Sequence, residues 1–296
     1  MANRHGLQRH IPTDIALDIR RRSKFGCVVC RCAIYQYEYI DPEFSDAQTH
    51  EPDRICLLCG GCHDRVTRGR LSKETVKAKY LEIQTSSEIR RPFEELDLSA
   101  QNICVKLGTA RFESARHLLR INGVDMLSIT PPKDGSSFPS LNGVFCDRAG
   151  KEIFQITDNV WEGPTDAWDV RVAGQDVVVK VDGGRTALAL TIAPPGEITI
   201  KQLDMYFDNC HVMCGEDGLM VGRVHGEKYA YVGLGNFTCQ HAEIGVDVDG
   251  RGKGPPIPKG ISIIGGDGVV LEGTGIRVGV NSGQMTVVNL KMWVRQ

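Results

Sequence analysis

Two pairs of cysteines carry the clearest chemical signal in the chain: Cys27 and Cys30, then 28 residues, then Cys59 and Cys62. A two-residue spacer lets both thiolates of a pair reach one ion, and two such pairs supply the four sulfurs of a closed tetrahedral Zn²⁺ site. Buried free thiols or a redox pair are the alternatives. A unit of about forty residues buries too little apolar surface to fold alone, so a structural zinc would supply what the core lacks. Cys56, inside the apolar run ICLLC, reads as a buried thiol, and Cys32 as a neighbour of the site. Around this unit stand two basic clusters: Arg20, Arg21, Arg22 and Lys24 before it, and Arg65, Arg68 and Arg70 after it. Together they are candidates for non-specific phosphate contacts to DNA, although each alone is equally a solvated surface charge.

The segments FGCVVC, YEYI and LLCGGCH, spanning roughly residues 20 to 80, resemble the HNH (ββα-metal) endonucleases, in the bacterial type with paired CxxC knuckles. The resemblance implies two strands and a helix gripping one catalytic divalent cation, Mg²⁺ or similar, beside a scissile DNA phosphate. His63 matches the ligand at the helix start and Glu38 the acidic ligand of the strand. Tyr39 stands where the family has its general-base histidine, and Arg54 where it has an asparagine that orients that base. A free tyrosine has a pKa near ~10, so at pH 7 about one in a thousand is phenolate, a handicap of roughly 4 kcal/mol. His50, in the loop between the strands, titrates in the useful range and is the alternative base; Asp41 adds a carboxylate. For His63 the plain alternative is a redundant histidine of the zinc site or a helix cap.

These residues must be held by local elements. Thr13 is expected to cap a short helix carrying Ile15 and Ile19, and Ser72 to cap a second, KETVKAKYLEIQ, with Val76, Tyr80 and Ile83 at helical spacing. Near residue 96 the composition changes: six of eleven cysteines lie before it and 28 of 33 glycines after it. Alternation at Trp168, Val170 and Val172, at Leu203, Met205 and Phe207, and at Ile276, Val278 and Val280 predicts strands separated by turns such as DGG, GEDG, DGRGKG and NSG. The fold class expected is α+β: residues 1–95 a zinc-stapled ββα-metal module with flanking helices, residues 96–296 an all-β part, a sandwich or a β-solenoid, suited to oligomerisation, targeting or sensing. Cys210, His211, Cys214, Cys239 and His241 have spacings that suit a second metal site, but packed thiols and surface histidines fit their apolar surroundings better. Trp161 and Trp168 are expected to cover one edge of the β core, and the Pro194-Pro195 and Pro255-Pro256 turns to stiffen loops.

The 296 residues are ordinary in composition, with net charge −2: 16 basic against 14 acidic residues up to 95, and 19 against 23 after it. That balance proves no nucleic-acid surface by itself. No apolar run of ~18 residues and no secretory signal is visible, so a cytoplasmic protein with no membrane partner is expected. Three functions compete: a metal-dependent endonuclease, for example a phage-defence effector; a catalytically silent nucleic-acid-binding relative with a β-rich assembly part, including a homo-oligomer; and a purely structural protein.

Overall fold

The computed structural model describes residues 2–133, 135–225, 228–249, 262–272, 276–279, 285–286 and 292–293, with side chains described as far as residue 222 and over 233–248. Val280, the turns at DGRGKG and NSG and the Pro255-Pro256 pair fall wholly or largely outside the described residues. The chain is mixed α and β, and strand predominates. It divides into two units: Met1–Glu94 with Glu162–Gly174 and Val179–Gly184, and Glu95–Trp161 with Gln175–Val178 and Arg185–Gln296. Two segments that lie late in the sequence therefore count with the first unit.

In the first unit, helix α1 (Thr13–Arg22) precedes strand β1 (Gln36–Tyr39), strand β2 (Ile55–Leu58), helix α2 (Gly60–Thr67) and helix α3 (Lys73–Thr85). Strands β1 and β2 pair antiparallel with Glu38 opposite Cys56 and Tyr39 opposite Ile55. Every residue of β2 is buried, because its alternating side chains serve two clusters. Cys56 and Leu58 pack with Val28, Val76, Tyr80 and Ile83, which brings in the apolar face of α3. Ile55 and Leu57 pack with Ile19 of α1 and the tyrosines of the β1 region. Such a strand reads as a continuous apolar run rather than an alternation. Ser72 caps α3 as its sequence predicts, Oγ accepting the Thr75 N–H at 3.1 Å. Thr13 does not cap α1: the preceding Pro12 holds the boundary position, and no side chain accepts a bond there. Proline's fixed φ starts the helix without a capping oxygen.

The second unit is built of hairpins. Arg185–Ala193, Glu197–Phe207, Cys210–Gly215, Gly218–His225 and Lys228–Gln240 are successive antiparallel neighbours. Cys104–Leu107 joins them parallel to Glu197–Phe207. A second sheet runs antiparallel through His117–Ile121, Val124–Thr130, Ser140–Cys146 and Glu152–Thr157, with Ile244–Asp249 parallel to His117–Ile121. These hairpin neighbours are not the parallel coils of a solenoid; the evenly spaced stretch after residue 260 that suggests one lies only partly within the described residues, and its described strands Ser262–Glu272 and Ile276–Gly279 pair parallel to Lys228–Gln240 and Ile244–Asp249. The reason for the hairpins is local. Asp158-Asn159 and Asp208-Asn209 both have left-handed backbones (φ 49° and 66°, 45° and 65°), as the two-residue turns that match strand twist require. The two sheets meet where Gly245 leaves room for the Phe112 ring; a Cβ there would lie 2.6 Å from it.

Candidate metal centre and active site

The four cysteine sulfurs of Cys27, Cys30, Cys59 and Cys62 lie within 4.8 Å of one another. A tetrahedral ion with Zn–S bonds of ~2.3 Å separates its sulfurs by about 3.8 Å, so small adjustments close the set around one zinc. Among the described residues no other group of three or more His, Cys, Asp or Glu converges in this way. Burial pushes the Cys30 thiol up to about 11 and raises Cys62 as well. Burial also acts upward on Cys59, but the Cys62 main-chain N–H and the neighbouring sulfurs outweigh it and hold that thiol below its ordinary value. Cys59 Sγ accepts the Cys62 N–H at 3.4 Å and so caps α2. The first pair is shaped by Arg31, whose guanidinium donates to the carbonyls of Ser23, Lys24, Gly26 and Cys27. Those bonds gather the carbonyls around a left-handed turn at Lys24 and Phe25, adding to the main-chain bonds that Ser23 and Cys27 already accept from Gly26 and Arg31. Cys32 turns away to Glu94, 3.2 Å from Oε2, and Cys56 is fully buried.

Because Cys62 ends the second pair, the next residue, His63, falls on the first turn of α2 facing β1. Its Nε2 lies 3.1 Å from Glu38 Oε2. Glu38 is nearly buried, and its other oxygen is paired with the ammonium of Lys73, the first residue of α3. Lys73 also donates to the Tyr39 carbonyl at 2.5 Å. Tyr39 projects its hydroxyl to His50 Nδ1 at 2.5 Å and packs edge-on against Phe44, ring centroids 5.3 Å apart. Burial raises the Tyr39 hydroxyl above its ordinary value, opposed by nearby Arg9. Burial also lowers His50 below the usual imidazole range; a hydrogen bond to the His10 main chain opposes that shift, while the His10 charge adds to it.

Glu38, Tyr39, His63 and Lys73 line one open cleft of about 1100 Å³. Glu38 and His63 offer one carboxylate oxygen and one imidazole nitrogen to a cation. Mg²⁺ is usually held by one or two carboxylates with substrate phosphates and waters, whereas imidazole suits transition metals, so this carboxylate–imidazole pair fits a cation such as Zn²⁺ or Ni²⁺ better than Mg²⁺.

The expected phosphate contacts fare unevenly. Arg20 is buried, donating through Nε and Nη2 to both oxygens of Asp169 at 2.7 Å and through Nη1 to the Tyr37 hydroxyl at 2.9 Å. It is therefore corrected from a surface contact to an internal one: α1 turns it inward, and a buried guanidinium needs a carboxylate. Arg21 lies over the Trp168 ring at 4.2 Å and donates to its carbonyl, and Arg22 is paired with Asp18 at 3.0 Å. Lys24 is half-buried. Arg65, Arg68 and Arg70 are exposed, Arg68 paired with Asp64 at 2.8 Å, but none lines the cleft. The cleft takes its wall from the N-terminal segment instead, including Arg4 and Arg9, which no spacing in the sequence singles out. Arg54 turns to Glu51 at 2.7 Å, and neither it nor Asp41 lines the cleft.

In the second unit the histidine-cysteine group is dispersed into packing. His211 Nε2 meets Asp204 at 2.9 Å and its ring stacks on Tyr206, while Cys214 Sγ donates to the Ile200 carbonyl at 3.4 Å. Trp161 is buried and stacked on Phe154 at 5.0 Å, whereas Trp168 belongs to the first unit beneath Arg21. No helix among the described residues is long and apolar enough to cross a membrane. No protein-family model matches the chain, and no curated protein or solved structure matches it.

Proposed function

We propose that the first unit is a zinc-stapled nuclease module of the HNH kind that hydrolyses DNA phosphodiester bonds with one divalent cation. The observation that carries this reading is the approach of Glu38 and His63 to 3.1 Å inside a cleft, beside four converging cysteine sulfurs. One donor comes from a strand and the other from the helix that the second cysteine pair begins, which is the donor set the resemblance assigns. A cation held there would stabilise charge on the leaving 3′ oxygen. The chain's own contributions are separate. Glu38 and His63 hold the phosphate side of the cleft, and His50 is the neutral base, reaching the cleft through Tyr39. Reduced thiolates at the zinc site fit a cytoplasmic location.

Lys73 favours a second reading. Its ammonium already neutralises Glu38, as expected of a silent site retained for DNA binding. A plasmid-nicking assay with Mg²⁺, Mn²⁺, Ni²⁺ and Zn²⁺ separates the two. The nuclease reading expects cutting with at least one ion and its loss in His63→Ala. Cutting retained in that variant would move the active centre elsewhere. No cutting with any ion, alongside salt-sensitive DNA binding, would favour the silent module.

A further inference from the structure

Tyr39 and His50 are joined more tightly than a replaced base position requires. The hydroxyl lies 2.5 Å from His50 Nδ1. A hydroxyl held within hydrogen-bond reach of a histidine is the pairing from which an activated nucleophile is built. The ring of Tyr39 is fixed by Phe44, and Arg9 lies over Phe44 at 4.7 Å. Tyr39 opens on the same cleft as Glu38 and His63.

We infer that Tyr39 is a nucleophile with His50 as its base, so that strand cleavage passes through a covalent phosphotyrosyl intermediate. The inference rests on the nuclease reading above. In the first step His50 Nδ1 takes the phenolic proton and Tyr39 Oη bonds to phosphorus. The bond from phosphorus to the 3′ oxygen breaks, and that oxygen takes a proton from solvent. The product is a 5′-phosphotyrosyl strand and a free 3′ hydroxyl. In the second step water, losing its proton, displaces the tyrosine, which recovers a proton. A water serving as nucleophile would first have to be fixed in the cleft, whereas the tyrosine oxygen is held there by its own strand.

The test uses the full chain and a 3′-end-labelled duplex oligonucleotide carrying a bridging 3′-phosphorothiolate, incubated with Mn²⁺ and quenched in detergent. The expected result is a labelled protein band whose tryptic adduct maps to Tyr39. The band should be absent in Tyr39→Phe, and its formation slowed about 10²–10⁴-fold in His50→Gln. Tyr39→His should cut without an adduct. A chiral phosphorothioate substrate gives a second readout on the unaltered protein: two displacements retain configuration at phosphorus, and one inverts it. Cutting with inversion and no adduct would overturn the inference and leave the nuclease reading standing. Neither cutting nor adduct with any cation would overturn both.

Discussion

The most informative side chain at the site is one whose role no motif announces. Lys73 begins α3, and its ammonium sits on the carboxylate that a catalytic cation would need. A charged partner competes with a divalent ion for the same oxygen, so Lys73→Met should raise Mn²⁺ affinity, by about tenfold if the competition is worth ~1.4 kcal/mol. Isothermal titration measures this directly; unchanged affinity would mean that Lys73 leaves Glu38 freely in the resting protein. The residue was legible only as part of a helix, because its approach to Glu38 is set by packing of α3 on β2. Arg20 illustrates the converse. In the run RRR it reads as a surface charge, and only the inward face of α1, shared with Ile19, turns it to Asp169. Single charges are poorly legible because sequence gives their spacing and not their side of the fold.

At the scale of elements, local rules carry further. The cysteine spacing anticipates the convergence of four sulfurs, since each pair is closed by a short turn whatever the rest of the chain does. Ser72 and the apolar positions of α3 were legible for the same reason, whereas Thr13 failed because Pro12 already provides the helix start. The Asp-Asn turns are harder to read from sequence, because neither contains the glycine that usually marks such a turn. The zinc staple yields a prediction of its own. The purified protein should carry one tightly held zinc per chain. Cys59→Ala should both lower zinc content and uncap α2, since one sulfur does both tasks. Metal analysis together with the melting profile checks it. A protein free of zinc that melts unchanged would show that the cysteines merely pack. Chelation should abolish the first unit's melting transition while strand signal from the second persists.

The whole molecule adds a constraint that neither residues nor elements supply: the chain returns to its first unit after laying down strands of the second. Glu162–Gly174 counts with that unit, and the bidentate pair Arg20–Asp169 fastens it to α1. Within the second unit, Asp204 gathers Arg148, Arg185 and His211. Burial acts to raise Asp204, yet the bonds from Arg148 and His211 hold it below 3.8; burial lowers His211 below 6.5 against the pull of Asp204. Both folded values lie below the unfolded ones, so both groups stabilise fully only above those values. Stability of this unit should therefore fall as pH drops below about 6.5, and again below about 4, as melting at stepped pH would show. Flat stability between pH 7 and 5 would remove His211 from this account. For the first unit the decisive experiment is a double-mutant cycle. Asp169→Ala leaves a buried guanidinium without its carboxylate and should cost about 3–5 kcal/mol, whereas Arg20→Met with Asp169→Leu removes both charges and should recover much of that loss. If the single variant melts like the parent, the returning segment is held by something other than this pair.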